Sequence, residues 1–333
     1  MSTLRFMTAG ESHGPCLTAI LEGLPAGLKL DAEGISKDLA RRQQGYGRGG
    51  RMKIEQDRAE ILSGVRFGET IGSPVAIEIA NTEWPKWTEV MSALGRMAAF
   101  GAPEGEKVTA ARPGHADLTG VMKYDRKDVR DILERSSARE TTMRVAVGAL
   151  CKAFLKEIGI EVVSHVTTIG GVSVDPERID RKTIGKNAVQ EASEVSCCDP
   201  EAAEKMKVRI REAQAAGDTL GGIFEVVVRG VPIGLGSYIQ WDRRLDAKLA
   251  ATLMGIQAIK GVEIGAGFAC AMRPGSEIHD EIFVDKKGHP FRKTNRAGGL
   301  EGGMTNGEEI VLRAVMKPIP TLMQPLHTMD IAT

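Results

Sequence analysis

Two histidines lie in loops whose small neighbours bring the backbone close to a bound ligand. His13 belongs to the segment GESHG at residues 10–14, and His115 belongs to RPGHAD at residues 112–117, three residues after Arg112. A histidine beside an arginine that binds phosphate can act as a general acid toward a departing phosphate. Each histidine could equally have a structural role. The sequence contains neither HxxxH nor HExxH, so it does not predict a zinc site.

Several cations lie close together near the start of the chain, with no acidic residue among them. They are Arg41, Arg42, Arg48, Arg51 and Lys53. Such crowding is unfavourable unless an anion or nearby carboxylates compensate the charge. Arginine suits bidentate contact with phosphate and carboxylate groups. The segment therefore predicts either an anion site or a solvated basic loop.

The same segment matches a dinucleotide-binding pattern by its letters alone. Gly45, Gly47 and Gly50 fit GxGxxG, but that motif requires a strand before it and a helix after it. Here a predicted helix precedes the glycines, and the polar segment MKIEQD without a helical stripe follows them. The sequence does not predict a Rossmann site.

Other polar and glycine-rich segments leave two interpretations open. The segment RSSARET at residues 135–141 joins two predicted helices, and its hydroxyls could cap the second helix or lie beside amides that face an anion. The segments GGLEGG at 298–303 and KPIPT at 317–321 lie on either side of a predicted strand. They fit a flavin ring or ribityl chain, and they equally fit ordinary turns.

The composition excludes several classes of function. The 333 residues include 44 Lys and Arg and 44 Asp and Glu, so the chain has no general attraction for nucleic acid or an anionic membrane. It has no apolar run typical of a signal peptide or of a membrane-spanning helix. The five cysteines form no CxxC pair and are predicted to be free thiols of a reducing compartment. We expect a cytoplasmic globular protein.

Local patterns predict the elements that carry these residues. Strands are predicted at residues 4–8, 16–30, 59–67, 74–80, 161–168, 223–230 and 309–316. Helices are predicted at residues 31–43, 125–134, 138–158, 176–216 and 246–258, with a Gly- and Pro-rich loop at 101–120.

The helix at 138–158 has the clearest pattern. Its apolar residues recur at steps of three and four and predict one buried face, made of Met143, Val147, Leu150, Phe154 and Ile158. The chain shows no fixed-period repeat and no low-complexity linker. We therefore expect one interleaved α/β domain over residues 1–333.

The order of the motifs along the chain resembles that of the chorismate synthase family. The matching segments are GESHG at 10–14, the arginine-rich loop at 41–51, ILSGV at 61–65, RPGHAD at 112–117, RSSARET at 135–141, GDTLGG at 217–222, IKGVEIG at 259–265 and GGLEGGMTNG at 298–307. They cover nearly the whole chain. The resemblance implies a single large α/β sandwich with helices between antiparallel sheets, assembled as a homotetramer.

The resemblance also implies a reaction. Members of the family convert 5-enolpyruvylshikimate-3-phosphate into chorismate by a 1,4-anti elimination, the last step of the shikimate pathway. The 3-phosphate leaves, and a hydrogen is lost from carbon 6. Reduced FMN is required although no net redox change occurs, because it lends an electron that is recovered within the cycle. NADPH is the possible reductant of the flavin.

Particular residues would carry these roles by resemblance. His13 would protonate the departing phosphate, and His115 would supply a proton at the flavin. The residues expected to bind substrate or NADPH are Arg42, Arg48, Arg51, Arg112, Arg139 and Ser12. The expected FMN contacts are Arg135, Ser136, Ser137, Gln257, Ala258, Gly302, Lys317, Pro318, Ile319, Pro320 and Thr321.

The family normally continues beyond the point where this sequence stops. We expect the sequence to lack a C-terminal segment that holds an arginine of the substrate and FMN site and an aspartate that helps the flavin take the hydrogen. The rival from another class is an RNA-binding or scaffold protein that uses the basic loop. The balanced charge and the aromatic content of 4% argue against it. A P-loop kinase is not predicted, because the chain has no GxxxxGK[ST] motif.

Overall fold

The computed structural model describes residues 4–47, 57–94, 107–186, 190 and 192–333. The chain divides into two compact units. The first unit comprises Met1–Gln44, Arg48–Phe154 and Pro320–Thr333, and the second comprises Gly45–Gly47 and Leu155–Ile319. Both units contain segments from distant parts of the sequence. The expectation of one domain over residues 1–333 stays a prediction.

Antiparallel pairing connects the strands of every sheet in the described residues. The strands are β1 (Arg5–Ala9), β2 (Cys16–Glu22), β3 (Glu60–Ile61), β4 (Val65–Arg66), β5 (Glu69–Thr70), β6 (Val75–Ala80), β7 (Glu161–Ile169), β8 (Val172–Ser173), β9 (Gly222–Arg229), β10 (Ile259–Ile264), β11 (Ile282–Val284), β12 (Pro290–Arg292), β13 (Leu300–Glu301), β14 (Met304–Thr305) and β15 (Ile310–Met316).

The helices alternate with these strands along the chain and confirm the predicted mixed α/β class. The α-helices are α1 (Ala32–Gln43), α2 (Asp117–Tyr124), α3 (Arg130–Ser136), α4 (Thr141–Glu157), α5 (Pro200–Ala215), α6 (Leu245–Met254) and α7 (Gly275–Ile278). Single 3-10 turns occur at Trp84–Lys86, Ala138–Glu140, Pro176–Arg178, Arg181–Thr183 and Trp241–Arg243, with a longer one at Gly267–Met272.

The first unit is built on a four-stranded sheet of order β1-β2-β6-β3. Side chains alternate between the two faces of a strand, so one face collects every second residue of β2 and β6. The buried residues of that face are Leu17, Ala19, Leu21, Val75, Ile77 and Ile79. Helices α1 and α4 pack on it through Ile35, Leu39, Met143, Ala146, Val147 and Leu150. The loop that carries His13 joins β1 and β2 of this sheet.

The sequence predicted most elements of the first unit. Asp31 caps α1 as expected, with its carboxylate accepting a hydrogen bond from the Glu33 amide at 2.9 Å. The stripe of α4 is buried as predicted at Met143 and Leu150, but Ile158 is 55% exposed because α4 ends at Glu157. The strand predicted over 16–30 ends at Glu22.

Helix α2 and the start of α3 differ from the prediction. The segment 117–124 lies partly in the predicted loop, yet it forms α2, and the helix predicted from residue 125 begins only at Arg130. Asp125 ends α2 in the left-handed conformation, with φ of 49°, which an aspartate tolerates better than most residues. The segment contains Gly120, and glycine lowers helix propensity, so its sequence pattern does not indicate a helix.

The second unit contains a five-stranded sheet of order β10-β15-β9-β7-β8. One face packs on α6, and the core formed there includes Phe224, Val226, Ile310, Leu312, Leu249 and Leu253. On the opposite face His165 of β7 lies across from Glu225 of β9. The strands predicted at 161–168, 223–230 and 309–316 are all present.

Two helix predictions in the second unit were too long. Asp199 caps α5 through the amides of Glu201 and Ala202, as predicted, but the described residues 176–186 contain the 3-10 turns Pro176–Arg178 and Arg181–Thr183 instead of a continuous helix. Helix α6 ends at Met254, before the predicted end at residue 258. Among the described residues, none of the helices combines the length and apolar character needed to cross a bilayer.

Candidate active site

The loop between β1 and β2 of the first unit carries His13. Gly10 has φ of 104°, a conformation in which glycine is favoured, and a side chain there would strike the backbone at Cys16 and Leu17. The Asn81 side chain donates to the carbonyls of Glu11 at 3.1 Å and Gly14 at 2.8 Å. The loop is therefore fixed on both sides of His13.

A buried carboxylate of α3 binds His13 in two ways. The His13 backbone N–H donates to Oε2 of Glu134 at 2.9 Å, and the ring Nδ1 lies 3.0 Å from Oε1 and 2.9 Å from Oε2. The Ser12 amide also donates to the main-chain carbonyl of Glu134 at 3.0 Å. The Glu134 side chain is 1% exposed. Ser12 and His13 are thus both tied to α3.

An aromatic ring contacts the face of the same imidazole. Trp87 stacks on His13 with ring centroids 4.0 Å apart and an interplanar angle of 29°. The Arg130 guanidinium lies 5.3 Å from the Trp87 ring centroid, and its Nη1 donates to Oε1 of Glu134 at 3.4 Å. Edge and face of the His13 ring are both occupied, so its orientation is determined.

His115 is held by residues of its own motif. Gly114, with φ of 76°, lets the chain turn after Arg112, and the ring Nδ1 of His115 makes a short hydrogen bond with Oδ1 of Asp117. The Asp117 carboxylate also accepts from Nε of Arg112 at 2.8 Å and from its amide at 3.1 Å. Nη1 of Arg112 donates to the Thr321 hydroxyl at 3.3 Å.

Both carboxylates are ionised despite their burial. Burial alone would raise the pKa of Glu134, but the hydrogen bonds and charge of His13, together with the charge of Arg130, lower it. For Asp117 burial again opposes ionisation, and hydrogen bonds from Arg112 and His115 lower its pKa. Each histidine therefore has a negative charge at its Nδ1 edge.

Two of the predicted arginines meet at a carboxylate that the sequence interpretation left out. Nη1 of Arg139 donates to Oδ1 of Asp57 at 2.7 Å, and Nη1 of Arg42 lies 3.5 Å from Oδ2 of the same residue. Nε of Arg139 also donates to Asn81 at 3.1 Å. Asp57 supplies the nearby carboxylate that we considered as compensation for the basic segment. Arg48 and Arg51 lie outside the described residues.

The predicted flavin contacts of the first unit lie beside the His13 loop. Arg135 donates to the Thr8 carbonyl at 2.9 Å and to the Gly10 carbonyl at 3.2 Å. The Ser136 hydroxyl donates to the Ile132 carbonyl at 2.8 Å, and the Ser137 hydroxyl accepts from the Arg139 amide at 3.3 Å. Ser137 thus acts as a helix cap, one of the two roles considered for it, at the turn that leads into α4.

The remaining predicted flavin contacts are distributed along the rest of the chain. Gln257 and Ala258 precede β10, and Ala258 has φ of 67° and accepts from the Lys317 amide at 2.9 Å. Gly302 has φ of 59°. Pro318 and Ile319 follow in the second unit, whereas Pro320 and Thr321 belong to the first. These positions stay predictions.

The side chains present fit the chemistry that FMN requires. Arg135 and Ser136 line a cavity of about 1030 Å³, and the guanidinium and hydroxyl beside the capped turn at Ser137 suit a phosphate group. At Gly302 a side chain would come no closer than 4.0 Å to Tyr238, which leaves the backbone open to a flat ring. Within the first unit, the cation and the hydroxyl are donor types suited to the phosphate of a flavin nucleotide.

Helices α2 and α3 each carry the carboxylate partner of one histidine. Asp117 begins α2 and Glu134 lies in α3, and a side chain at Gly120 of α2 would overlap Ile132 of α3. The two helices therefore pack closely through this glycine. This contact joins the element that carries Asp117 to the one that carries Glu134.

Sequence reasoning missed Glu134, Trp87 and Asp57. Nothing local could have identified Glu134, which lies 121 residues from His13. Asp117 was within the RPGHAD motif but received no role, although its spacing of two residues from His115 was a usable signal.

Comparisons with known proteins agree with the motif order. The family "Chorismate synthase" matches residues 4–333. A chorismate synthase of Geobacter sulfurreducens is 58% identical over 340 residues, covering 99% of this chain and 84% of that protein. Chorismate synthase 1 of Bacillus cereus is 56% identical over 331 residues, with the same coverage of 99% and 84%. A crystal structure of a chorismate synthase has a TM-score of 0.80 and 47% identity, covering 96% of this chain and 85% of that one.

These findings confirm the resemblance and the fold class, and they give no support to an RNA-binding or scaffold protein. The agreement extends from the GESHG loop through the strands of the second unit, because the match spans almost all of the sequence. The chain belongs to the chorismate synthase family, a family of lyases.

Proposed function

We propose that the protein converts 5-enolpyruvylshikimate-3-phosphate into chorismate by 1,4-anti elimination of phosphate. The observation that supports this most directly is the pairing of each loop histidine, His13 and His115, with a buried ionised carboxylate. A histidine paired in this way can hold and pass a proton at its second ring nitrogen.

The bond from carbon 3 of the ring to the phosphate oxygen breaks, and its electron pair leaves with the phosphate. Carbon 6 loses its hydrogen, which is released overall as a proton to solvent, and the electron pair of that C–H bond completes the second ring double bond. His13 gives the proton on its Nε2 to the phosphate oxygen, and the electrons of that N–H bond stay on the nitrogen. The imidazole is then neutral and is reprotonated by solvent before the next turnover.

Arginines would stabilise the negative charge that builds on the leaving phosphate. We assign this role, and contact with the substrate carboxylates, to Arg42, Arg112 and Arg139, together with Arg48, Arg51 and Ser12. Preorganised cations aimed at a developing charge are a major source of rate enhancement. Arg42 and Arg48 are alternatively assigned to NADPH.

Reduced FMN, when bound, supplies an electron that eases the departure of phosphate and is recovered as the hydrogen is lost. We propose that it is held by Arg135, Ser136, Ser137, Gln257, Ala258, Gly302, Lys317, Pro318, Ile319, Pro320 and Thr321. His115 holds a proton for the flavin side of the site. From the family likeness we also propose a homotetramer in the cytoplasm that acts on this small molecule without nucleic acid or membrane.

The test is an anaerobic assay with purified protein, dithionite-reduced FMN and 5-enolpyruvylshikimate-3-phosphate. We expect chorismate and inorganic phosphate to appear in equal amounts, and oxidised FMN to give neither. If neither product forms with reduced FMN bound, the proposal is wrong. A parallel reaction with NADPH in place of dithionite determines whether the protein reduces its own flavin.

A further inference from the structure

Glu134 is a buried charged residue that pairs with His13 but takes no part in the bond changes of the proposed reaction. Its side chain is 1% exposed, yet both of its oxygens are directed to the ring and amide of His13 at distances between 2.9 and 3.0 Å. A carboxylate removed from water in this way is costly unless its partners repay the desolvation. The arrangement is therefore more than incidental packing.

The ionised carboxylate determines which nitrogen of His13 can exchange a proton. The pKa of Glu134 is lowered, since the hydrogen bonds and charge of His13 and Arg130 outweigh burial. An ionised carboxylate only accepts hydrogen bonds, so Nδ1 of His13 must carry a proton in the neutral ring as well as in the imidazolium. Nε2 is then the nitrogen that gains and loses the mobile proton.

The same carboxylate limits the movement of the ring. Glu134 binds the His13 amide as well as the ring, and its own main-chain carbonyl accepts from Ser12. Trp87 contacts the ring face at a centroid distance of 4.0 Å. Rotation of the imidazole about its side-chain bonds would break contacts with both Glu134 and Trp87. A misplacement of a reacting group by about 1 Å can lower the rate about 10²-fold.

We propose that Glu134 is a positioning residue, which keeps a proton of His13 on Nδ1 and aims Nε2 at the departing phosphate. This inference rests on the proposed function. His13 is the catalytic residue, because it alone would touch the reacting atoms. As the Nε2 proton passes to the phosphate oxygen, the hydrogen bond from Nδ1 to Glu134 persists and Glu134 itself gains no proton.

The test compares Glu134→Gln with wild type in the anaerobic assay and in the nitrogen NMR spectrum of the histidine rings. The amide keeps the size of the side chain, removes its charge and can donate as well as accept a hydrogen bond. We expect kcat to fall about 10-fold or more, less than the about 10²-fold expected for loss of the acid itself. KM should change less than about 3-fold, and the neutral His13 ring should no longer be confined to the tautomer with its proton on Nδ1.

A matched control exists in the second unit. His165 and Glu225 form another buried histidine–glutamate pair, with Nε2 and Oε1 3.5 Å apart, outside the candidate active site. Glu225→Gln makes the same chemical change in a similar pair, and we expect kcat and the tautomer of His13 to stay as in wild type. A similar loss of kcat in both variants would overturn the proposal.

Other outcomes separate this inference from the proposed function. If wild type forms chorismate and Glu134→Gln keeps the wild-type kcat, or loses kcat while the neutral His13 ring stays protonated on Nδ1 alone, the role of Glu134 is overturned while the reaction stands. If wild type itself forms no chorismate, the proposed function fails instead. Should Glu134→Gln not fold, Glu134→Asp is tested in its place, because it keeps the charge but moves it away from the ring. A reduced kcat with the Nδ1 proton retained supports the proposal, and a wild-type kcat overturns it.

Discussion

The two histidine–carboxylate pairs of the first unit are built by different means. Asp117 lies two residues after His115, so a single tight loop brings the two side chains together. Glu134 lies 121 residues from His13, and only the packing of α3 against the β1–β2 loop brings it to the ring. One pair is a property of local sequence, and the other is a property of the fold.

The pairs also differ in how the carboxylate divides its hydrogen bonds. Asp117 accepts from the Arg112 side chain at 2.8 Å and from its amide, so much of its charge is already compensated. Both oxygens of Glu134 face His13, and Arg130 reaches only 3.4 Å. His13 thus receives the larger share of its carboxylate's charge.

A further contact separates the two rings. Nη2 of Arg112 lies 3.1 Å from Nδ1 of His115, where a guanidinium can donate only if that nitrogen carries no proton. The Asp117 contact requires the opposite, so two neighbours compete for one ring nitrogen. The Nδ1 edge of His13 thus meets the carboxylate of Glu134, whereas Nδ1 of His115 lies between a carboxylate and a guanidinium.

Removal of each histidine should have the largest effect. We expect His13→Ala and His115→Ala each to lower turnover about 10²-fold or more, the scale of lost general acid catalysis. His13→Ala should also lower the free energy of unfolding by about 1–3 kcal/mol, because Glu134 loses its ring partner. Asp117 keeps its contact with Arg112 in His115→Ala, so that substitution should lower the free energy of unfolding by less.

Anaerobic chorismate formation and urea denaturation measure these two effects. Wild-type rates in both variants would remove the assignments of both histidines. Equal losses of unfolding free energy would contradict the difference between the pairs.

The next largest effect concerns the helix contact that links the pairs. Gly120→Ala places a side chain against Ile132, and we expect it to lower the free energy of unfolding by about 1–3 kcal/mol, as overpacking does. Gly148 in α4 has open space around it, so the control Gly148→Ala should stabilise the protein by about 0.5–1 kcal/mol. Thermal unfolding compares them, and a neutral Gly120→Ala would show that α2 and α3 are not closely packed.

A smaller effect distinguishes the carboxylates by pH. Their pKa values are lowered on folding, so each contributes stability that is present above its ordinary pKa, 4.5 for Glu134 and 3.8 for Asp117, and lost as pH falls through the folded value. In Glu134→Gln the free energy of unfolding should therefore fall less steeply than in wild type as the pH decreases below about 4.5. In Asp117→Asn the fall should become less steep only below about pH 3.8.

Urea denaturation from about pH 7 to about pH 2 measures both slopes. Slopes in either variant that match wild type would show that its carboxylate is not coupled to folding.

The smallest effect concerns the ring face of His13. Trp87→Leu removes the stacked ring and should lower the free energy of unfolding by about 0.5–1.5 kcal/mol, whereas Trp87→Phe should keep part of that energy. We expect turnover to fall less than for Glu134→Gln, because the hydrogen bonds to Glu134 remain. A larger loss of turnover in Trp87→Leu than in Glu134→Gln would show that the Trp87 contact contributes more to turnover than the Glu134 carboxylate does.

The sequence determined the features that depend on neighbours along the chain. The cap at Asp31, the stripe of α4 and the alternating strands follow from side-chain spacing within one element. The loop histidines were found for the same reason, since their glycines and arginine lie within a few residues. Helix ends were less accurate, as at Ile158, because a period does not reveal where packing stops.

Only the tertiary structure decided which charged groups, distant in sequence, contact one another. Helix α2 exists although Gly120 weakens it, because the missing side chain lets α3 approach. Asp57 joins Arg42 and Arg139, and Glu134 reaches His13, across gaps that no local pattern spans. A buried charge needs a partner in space, and that partner's position in sequence is set by how the whole chain folds.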